Sequence, residues 1–284
     1  MEPPGAVALC PLGLDDERRA VAAATQQRAK AALLYREQAP ELYSAVIPNG
    51  STAIPCVTVR PADALRLVEE ASEVELTVEA ERADTCGENL MVELGKGGRP
   101  LLFLANYDSR PGTPGAYRNA SGVVALLGLL ARLQGWRGHE VLVGFLVGEE
   151  PDAAGSRHCR DVLQATRIAS RVRGVVYVSG VGRSGLAVTS ASSQRPSNLA
   201  DLVQQVAAEE GLSAVPPLTS AETASLARLW RRPVIALSGP SLPLQHTTLD
   251  RPDLLSPRYV SRVVSVLERS ARTPWNSREA SPRH

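Results

Sequence analysis

Val141-Leu142-Val143-Gly144-Phe145-Leu146-Val147-Gly148-Glu149-Glu150-Pro151 (residues 141–151) is an unbroken apolar run that ends in two adjacent carboxylates. A strand covered on both faces reads as a continuous run rather than an alternation, because neither face meets water. Two glutamates at the end of such a strand are costly to bury unless a cation, a hydrogen-bond network or a proton compensates them. The stretch predicts a buried strand over Glu140 to Val147 that delivers Glu149 and Glu150 to a ligand-bearing edge. The plainer reading, two solvated glutamates in a turn, is weakened by the apolar run that feeds directly into them.

The same rhythm recurs on both sides. Pro100 to Ala105, Gly174 to Val178 and Pro233 to Leu237 are further short apolar runs, with a lesser one at Leu186 to Thr189. Between and after them the pattern predicts helices over Ser121 to Gln134, Ser156 to Ala169, Asn198 to Glu210 and Ser256 to Ser270. Alternation of this kind gives an α/β fold, a mostly parallel central sheet with helices on both faces. Ligands in such sheets bind at the C-terminal ends of the strands. The residues at those ends are Asn106-Tyr107-Asp108-Ser109, Gly148-Glu149-Glu150-Pro151 and Ser179-Gly180-Val181-Gly182. Tyr117-Arg118-Asn119-Ala120-Ser121-Gly122 precedes the first helix, and Gln245-His246-Thr247-Thr248-Leu249-Asp250 follows the last strand. Of the other three histidines, His139 and His158 read as ordinary and His284 ends the chain.

Upstream, residues 15–29 read as a helix with acids at its positive end. Ala31 to Tyr35, Ile54 to Val59, Val74 to Val78 and Leu90 to Leu94 read as strands, and Pro61 to Glu70 as a helix opening on proline. The expected organisation is a small N-terminal α/β subdomain over residues 1–82, the main domain over 83–273 and a polar tail over 274–284.

Composition narrows the function classes. Of 284 residues, 31 are basic and 30 acidic, with no block of one sign, so neither nucleic acid nor an anionic membrane is expected as a partner. An aromatic share of 4% argues against a base-stacking surface. Met1-Glu2-Pro3-Pro4 shows no basic region followed by an apolar one, and Val123 to Leu133 is too short to span a bilayer. A cytoplasmic protein is expected. Cys10, Cys56, Cys86 and Cys159 lack metal-binding spacing and are expected as free, buried thiols.

Taken in order, NYDS, RNASGVVALLGLLARL, VLVGFLVGEEPDAAGSRHC, GVVYVSGVG and QHTTLDRPDLLSP resemble the peptidase family of bacterial leucyl aminopeptidases, a group that includes glutaminyl cyclases and glutamate carboxypeptidases. The likeness extends over residues 88–272, and the first 80 residues resemble part of a protease-associated subdomain. The resemblance implies a zinc pair held by acids and histidines, with the first glutamate of the pair as general base. On that basis Glu149 matches the base, Glu150 a ligand, His246 the late histidine ligand and Asp108 the acid that orients the first histidine. Three positions depart from the family. Asn106 stands where the first histidine belongs, Arg118 where the bridging aspartate belongs and Ser179 where the strand-end aspartate belongs. Asparagine and serine are poor zinc ligands, and a guanidinium repels a cation.

No metal or other cofactor is therefore expected. The resemblance implies a cleft in which Arg118, with a protonated His246 opposite, replaces the metal charge beside Glu149 and Glu150. Glu149, Glu150 and His246 are the candidate catalytic groups. Arg118, Asn106, Asp108, Ser179 and Tyr107 are the candidate ligand-binding groups, for a small molecule or a peptide end. A metal-independent acid/base enzyme, a non-catalytic binding protein and an active zinc aminopeptidase are the three readings, in that order of preference.

Overall fold

The computed structural model describes residues 6–13, 17–45, 53–70, 73–79, 85–149, 153–191, 198–215, 220–240 and 242–273. Two sheets organise them. The first is a small, fully parallel sheet in which β2 (Ala31–Tyr35) lies between β1 (Val7–Pro11) and β3 (Cys56–Thr58). Helix α1 (Glu17–Gln26) makes the crossover from β1 to β2, and α2 (Pro61–Glu70) follows β3. Val21 and Ala24 of α1 pack with Ala8, Ala32 and Leu34 of the strands and with Tyr43.

The second sheet has the order β4-β6-β5-β7-β9-β8. Its strands are β4 (Leu90–Leu94), β5 (Leu101–Asn106), β6 (Val141–Leu146), β7 (Gly174–Val178), β8 (Ala187–Ala191) and β9 (Val234–Ser238). The four inner strands run parallel, and β4 and β8 close the edges antiparallel. The continuous apolar runs feed two cores in alternation, as a strand's period of two requires. Leu101, Phe103, Ala105, Val141, Val143 and Phe145 point into one core, which α3 (Ser121–Arg132), α5 (Asn198–Glu209) and α7 (Pro257–Arg272) cover. Leu102, Leu104, Leu142 and Leu146 point into the other, under α4 (Ala154–Ala165) and α6 (Ser220–Trp230). The α/β fold read from the sequence is the fold observed.

Three features differ from the sequence reading. Residues 73–79 alternate apolar and polar but form no strand. A strand needs a ladder partner as well as an alternation, and none of the described strands pairs with them. Strand β1 and helix α6 were not expected; β6 lies inside the sheet, one place from an edge. The cysteines are all free, yet only Cys159 is fully buried and Cys86 is exposed. No helix among the described residues is long and apolar enough to cross a membrane.

Candidate functional site

The site forms where the inner strands end. Strand β5 stops at Asn106, which is 3% exposed and whose Oδ1 has no hydrogen-bond partner. Asp108 then ties two strand ends together, because its Oδ2 accepts the Gly148 amide at 2.8 Å. Tyr107 is exposed, and its hydroxyl donates to the Glu88 carbonyl at 2.5 Å, which fixes the ring at the rim.

A single π-turn, Ala116–Ala120, leads into α3. It contains a cis peptide between Arg118 and Asn119. π-Turns leave backbone donors that regular helix would satisfy, and such turns occur often at functional sites. Here Asp250 satisfies them. Its carboxylate accepts the Tyr117 amide at 2.6 Å and the Arg118 amide at 3.2 Å, while its carbonyl accepts the Ala116 amide at 3.0 Å. Asp250 is fully buried, so burial pushes its carboxyl up, while the two backbone donors and the Arg118 charge act the other way. Asn119 continues the network: its Nδ2 donates to the Asp108 carbonyl at 2.9 Å, and its Oδ1 accepts from Ser179 Oγ at 3.2 Å. The turn can lie this close to the sheet because residue 122 is glycine. A Cβ there would sit 2.2 Å from the Val178 carbonyl oxygen.

Glu149 is half-buried beyond the end of β6. Its carboxylate accepts the Ser156 amide and, at 2.8 Å, the Ser156 hydroxyl, near the positive end of α4. Glu150, its predicted companion, lies outside the described residues.

The far wall is built from both sheets. His246 is 3% exposed and adopts a left-handed backbone, φ 64°. Its carbonyl accepts the Ser44 amide at 2.7 Å, Tyr43 bridges Thr247, and Arg36 Nη1 donates to the Gln245 carbonyl at 3.1 Å. Arg110 from the main domain donates to Glu17 of α1 at 2.5 Å and to the Ser44 carbonyl at 2.9 Å. Arg36 stands 4.0 Å from the same Glu17 oxygen and 4.7 Å over the Tyr43 ring. Burial first, then the charges of Arg110, Arg118 and Arg36, hold the His246 imidazole well below its ordinary value. His246 is thus neutral near pH 7, which corrects the expectation of a protonated counter-cation. Arg110 and Arg36, distant in sequence, already supply positive charge at that wall.

The structure therefore gathers Asn106, Asp108, Arg118, Ser179 and Glu149 around the strand ends, and sets His246 within the field of Arg118. Sequence reasoning missed Asp250, Asn119, Arg110 and Arg36. Asp250 and Asn119 stood inside quoted motifs. The two arginines carried no local signal.

Peptidase family M28 matches residues 89–228. No curated protein matches the chain in sequence. Among solved structures, a zinc aminopeptidase from Bacillus subtilis is 17% identical with a TM-score of 0.72, over 97% of this chain and 71% of that one. An aminopeptidase from Aneurinibacillus sp. strain AM-1 is 22% identical with a TM-score of 0.65, over 98% and 72%. A glutaminyl cyclase from an Acidobacteriales bacterium is 17% identical with a TM-score of 0.53, over 65% and 72%. At these identities the likeness establishes the fold.

Proposed function

Because the α/β domain belongs to peptidase family M28, we propose that this chain uses the family's cleft without a zinc pair, to bind or convert a small amino-acid-like or peptide ligand. The observation that carries the reading is the cationic surround of His246. Arg118, at the place of the bridging carboxylate, acts on it together with Arg110 and Arg36. The residues present do not fit zinc. Ser179 donates its hydroxyl to Asn119, and Asn106 offers a neutral amide. A guanidinium at the bridging place opposes a divalent ion. The described residues hold no group of three or more His, Cys, Asp or Glu able to bind a metal.

Such a cleft suits an anionic group on the ligand. Arg118 supplies the fork for a carboxylate or a polarised carbonyl. Asn106 Oδ1, buried and unpartnered, is an acceptor for a ligand N–H. Neutral His246 can donate and accept hydrogen bonds through its ring nitrogens, and Glu149 with Glu150 supplies carboxylates for acid/base work such as amide formation or cyclisation. Ser179, Asp108 and Tyr107 orient the walls. A cytoplasmic location belongs to the same reading. A second reading, a binding protein without turnover, is favoured by one observation: the Glu149 carboxylate is already engaged by Ser156 in the manner of a helix cap.

The test is a thermal-shift screen of amino acids and dipeptides, followed by turnover assays on each hit. A ligand at 100 times its dissociation constant adds about 2.7 kcal/mol. The expected result is a stabilising ligand whose effect disappears in Arg118→Ala. Loss of turnover in Glu149→Gln with binding retained identifies an enzyme. Binding without turnover in the unaltered protein identifies the second reading. A ligand shift that Arg118→Ala leaves unchanged removes Arg118 from the site.

A further inference from the structure

The opposite end of the main sheet carries a charge pattern that the cleft does not explain. Strands β5, β6, β7 and β9 begin there in register, with Leu101 beside Val141 and Gly174, and Val175 beside Val234. Four loops enter these strands, residues 95–100, 137–140, 166–173 and 231–233. They contain eight lysines and arginines and one carboxylate, Glu140. Backbone and side-chain bonds hold the loops together. The Lys96 amide donates to the Gly138 carbonyl at 3.1 Å, the Arg173 amide to the Pro100 carbonyl at 2.9 Å, and Arg232 Nη2 to the Ser170 carbonyl at 2.9 Å. Six cations are exposed on this end: Lys96, Arg99, Arg137, Arg167, Arg171 and Arg231.

The surface is under-compensated. Among the described residues Lys96, Arg137, Arg167 and Arg231 make no ion pair, whereas the neighbouring face pairs Arg132, Arg269 and Arg272 with Glu268, Glu209 and Glu210. Other acids flank this end: Asp161 on α4, held by Arg160, Glu93 on the edge strand β4, and Asp201 in the first turn of α5. Glu140 is buried and engaged by Arg171, which also donates to the Gly98 carbonyl at 3.3 Å. One carboxylate is thus already gripped by this cluster from the inside.

We propose that this end of the sheet is a docking surface for an acidic, carboxylate-rich segment of a partner protein. Arginine forks match carboxylates in pairs of parallel bonds, and an array of them on one flat end gives both affinity and steering. Two other polyanions fit less well. The loops hold no Phe, Tyr or Trp, and the adjoining Trp136 has its Nε1 committed to the His139 carbonyl at 2.8 Å, so nothing stands ready to stack on bases. Their one large aliphatic residue outside the core, Ile168, is only half-exposed, so no apolar anchor is offered to a bilayer. The surface lies a strand's length, about 20 Å, from the cleft, so an occupant here leaves the cleft open.

The test uses the full chain and poly-L-glutamate of about 20 residues as probe, read by fluorescence anisotropy at two salt concentrations. Arg99→Gln/Arg167→Gln/Arg231→Gln removes three charges from the patch. Arg28→Gln/Arg66→Gln/Arg258→Gln removes three exposed charges elsewhere. The expected result is salt-sensitive binding that weakens about tenfold in the patch variant and less than about twofold in the control. Both variants should melt with the unaltered protein. Equal weakening in the two variants overturns the proposal, since binding then follows net charge alone. Patch-dependent binding of duplex DNA or of phosphatidylserine vesicles that exceeds that of polyglutamate also overturns it, in favour of a phosphate surface.

Discussion

Glu17→Gln is expected to lower the unfolding free energy by about 3–5 kcal/mol, the usual cost of breaking a buried ion pair from one side. Glu17 is 7% exposed, accepts from Arg110 at 2.5 Å and faces Arg36, which is 3% exposed. Both guanidiniums lose the carboxylate they share. The cluster also joins the two sheets, because Glu17 and Arg36 come from the first and Arg110 from the second. The damage should reach the cleft, where Arg36 holds the Gln245 carbonyl beside His246. Urea denaturation measures it. A loss below about 1 kcal/mol would mean that water reaches the cluster and screens it as it does a surface pair.

Asp250→Ala is expected to cost about 3 kcal/mol or more. It removes a charged acceptor from the Tyr117 and Arg118 amides, and hydrogen bonds to charged groups contribute about 1.5–3 kcal/mol each. No other described side chain accepts from those amides. Asp250→Asn keeps one acceptor oxygen and should fall between the two. Ligand binding that depends on Arg118 should weaken in both variants, since the turn that presents Arg118 is no longer held. An Asp250→Ala protein as stable as the original would show that the π-turn closes without its staple.

Much of this fold was legible in the chain because its inner strands are apolar on both faces. The runs around Phe103, Val143 and Val176 are too hydrophobic to be anything but buried. What could not be read was anything set by pairing. Residues 73–79 have the alternation of a strand, yet alternation specifies a face and not a partner. The direction of β4 against β6 is likewise decided by the sheet. The cleft divides in the same way. Asn106, Asp108, Glu149 and Ser179 could be found because strand ends are local features. The lowered pKa of His246 comes first from burial and then from Arg110, Arg118 and Arg36, and Arg36 and Arg110 lie far from it along the chain and meet it only in the folded protein. The basic end of the sheet was hidden for a related reason: its arginines are scattered over four loops, and a balanced total of 31 basic and 30 acidic residues conceals them.

We propose that an M28-like cleft has here exchanged metal charge for internal guanidinium charge. Family position and local chemistry support it together: an arginine at the bridging place, an asparagine and a serine at two ligand places, and a buried imidazole whose neighbours are cations. The most direct measurement is elemental analysis of the purified chain after equilibration with excess zinc and dialysis. The account predicts no stoichiometric zinc, and no leucyl-substrate hydrolysis with or without the added metal. One or two zinc ions retained per chain, with zinc-dependent hydrolysis, would contradict it.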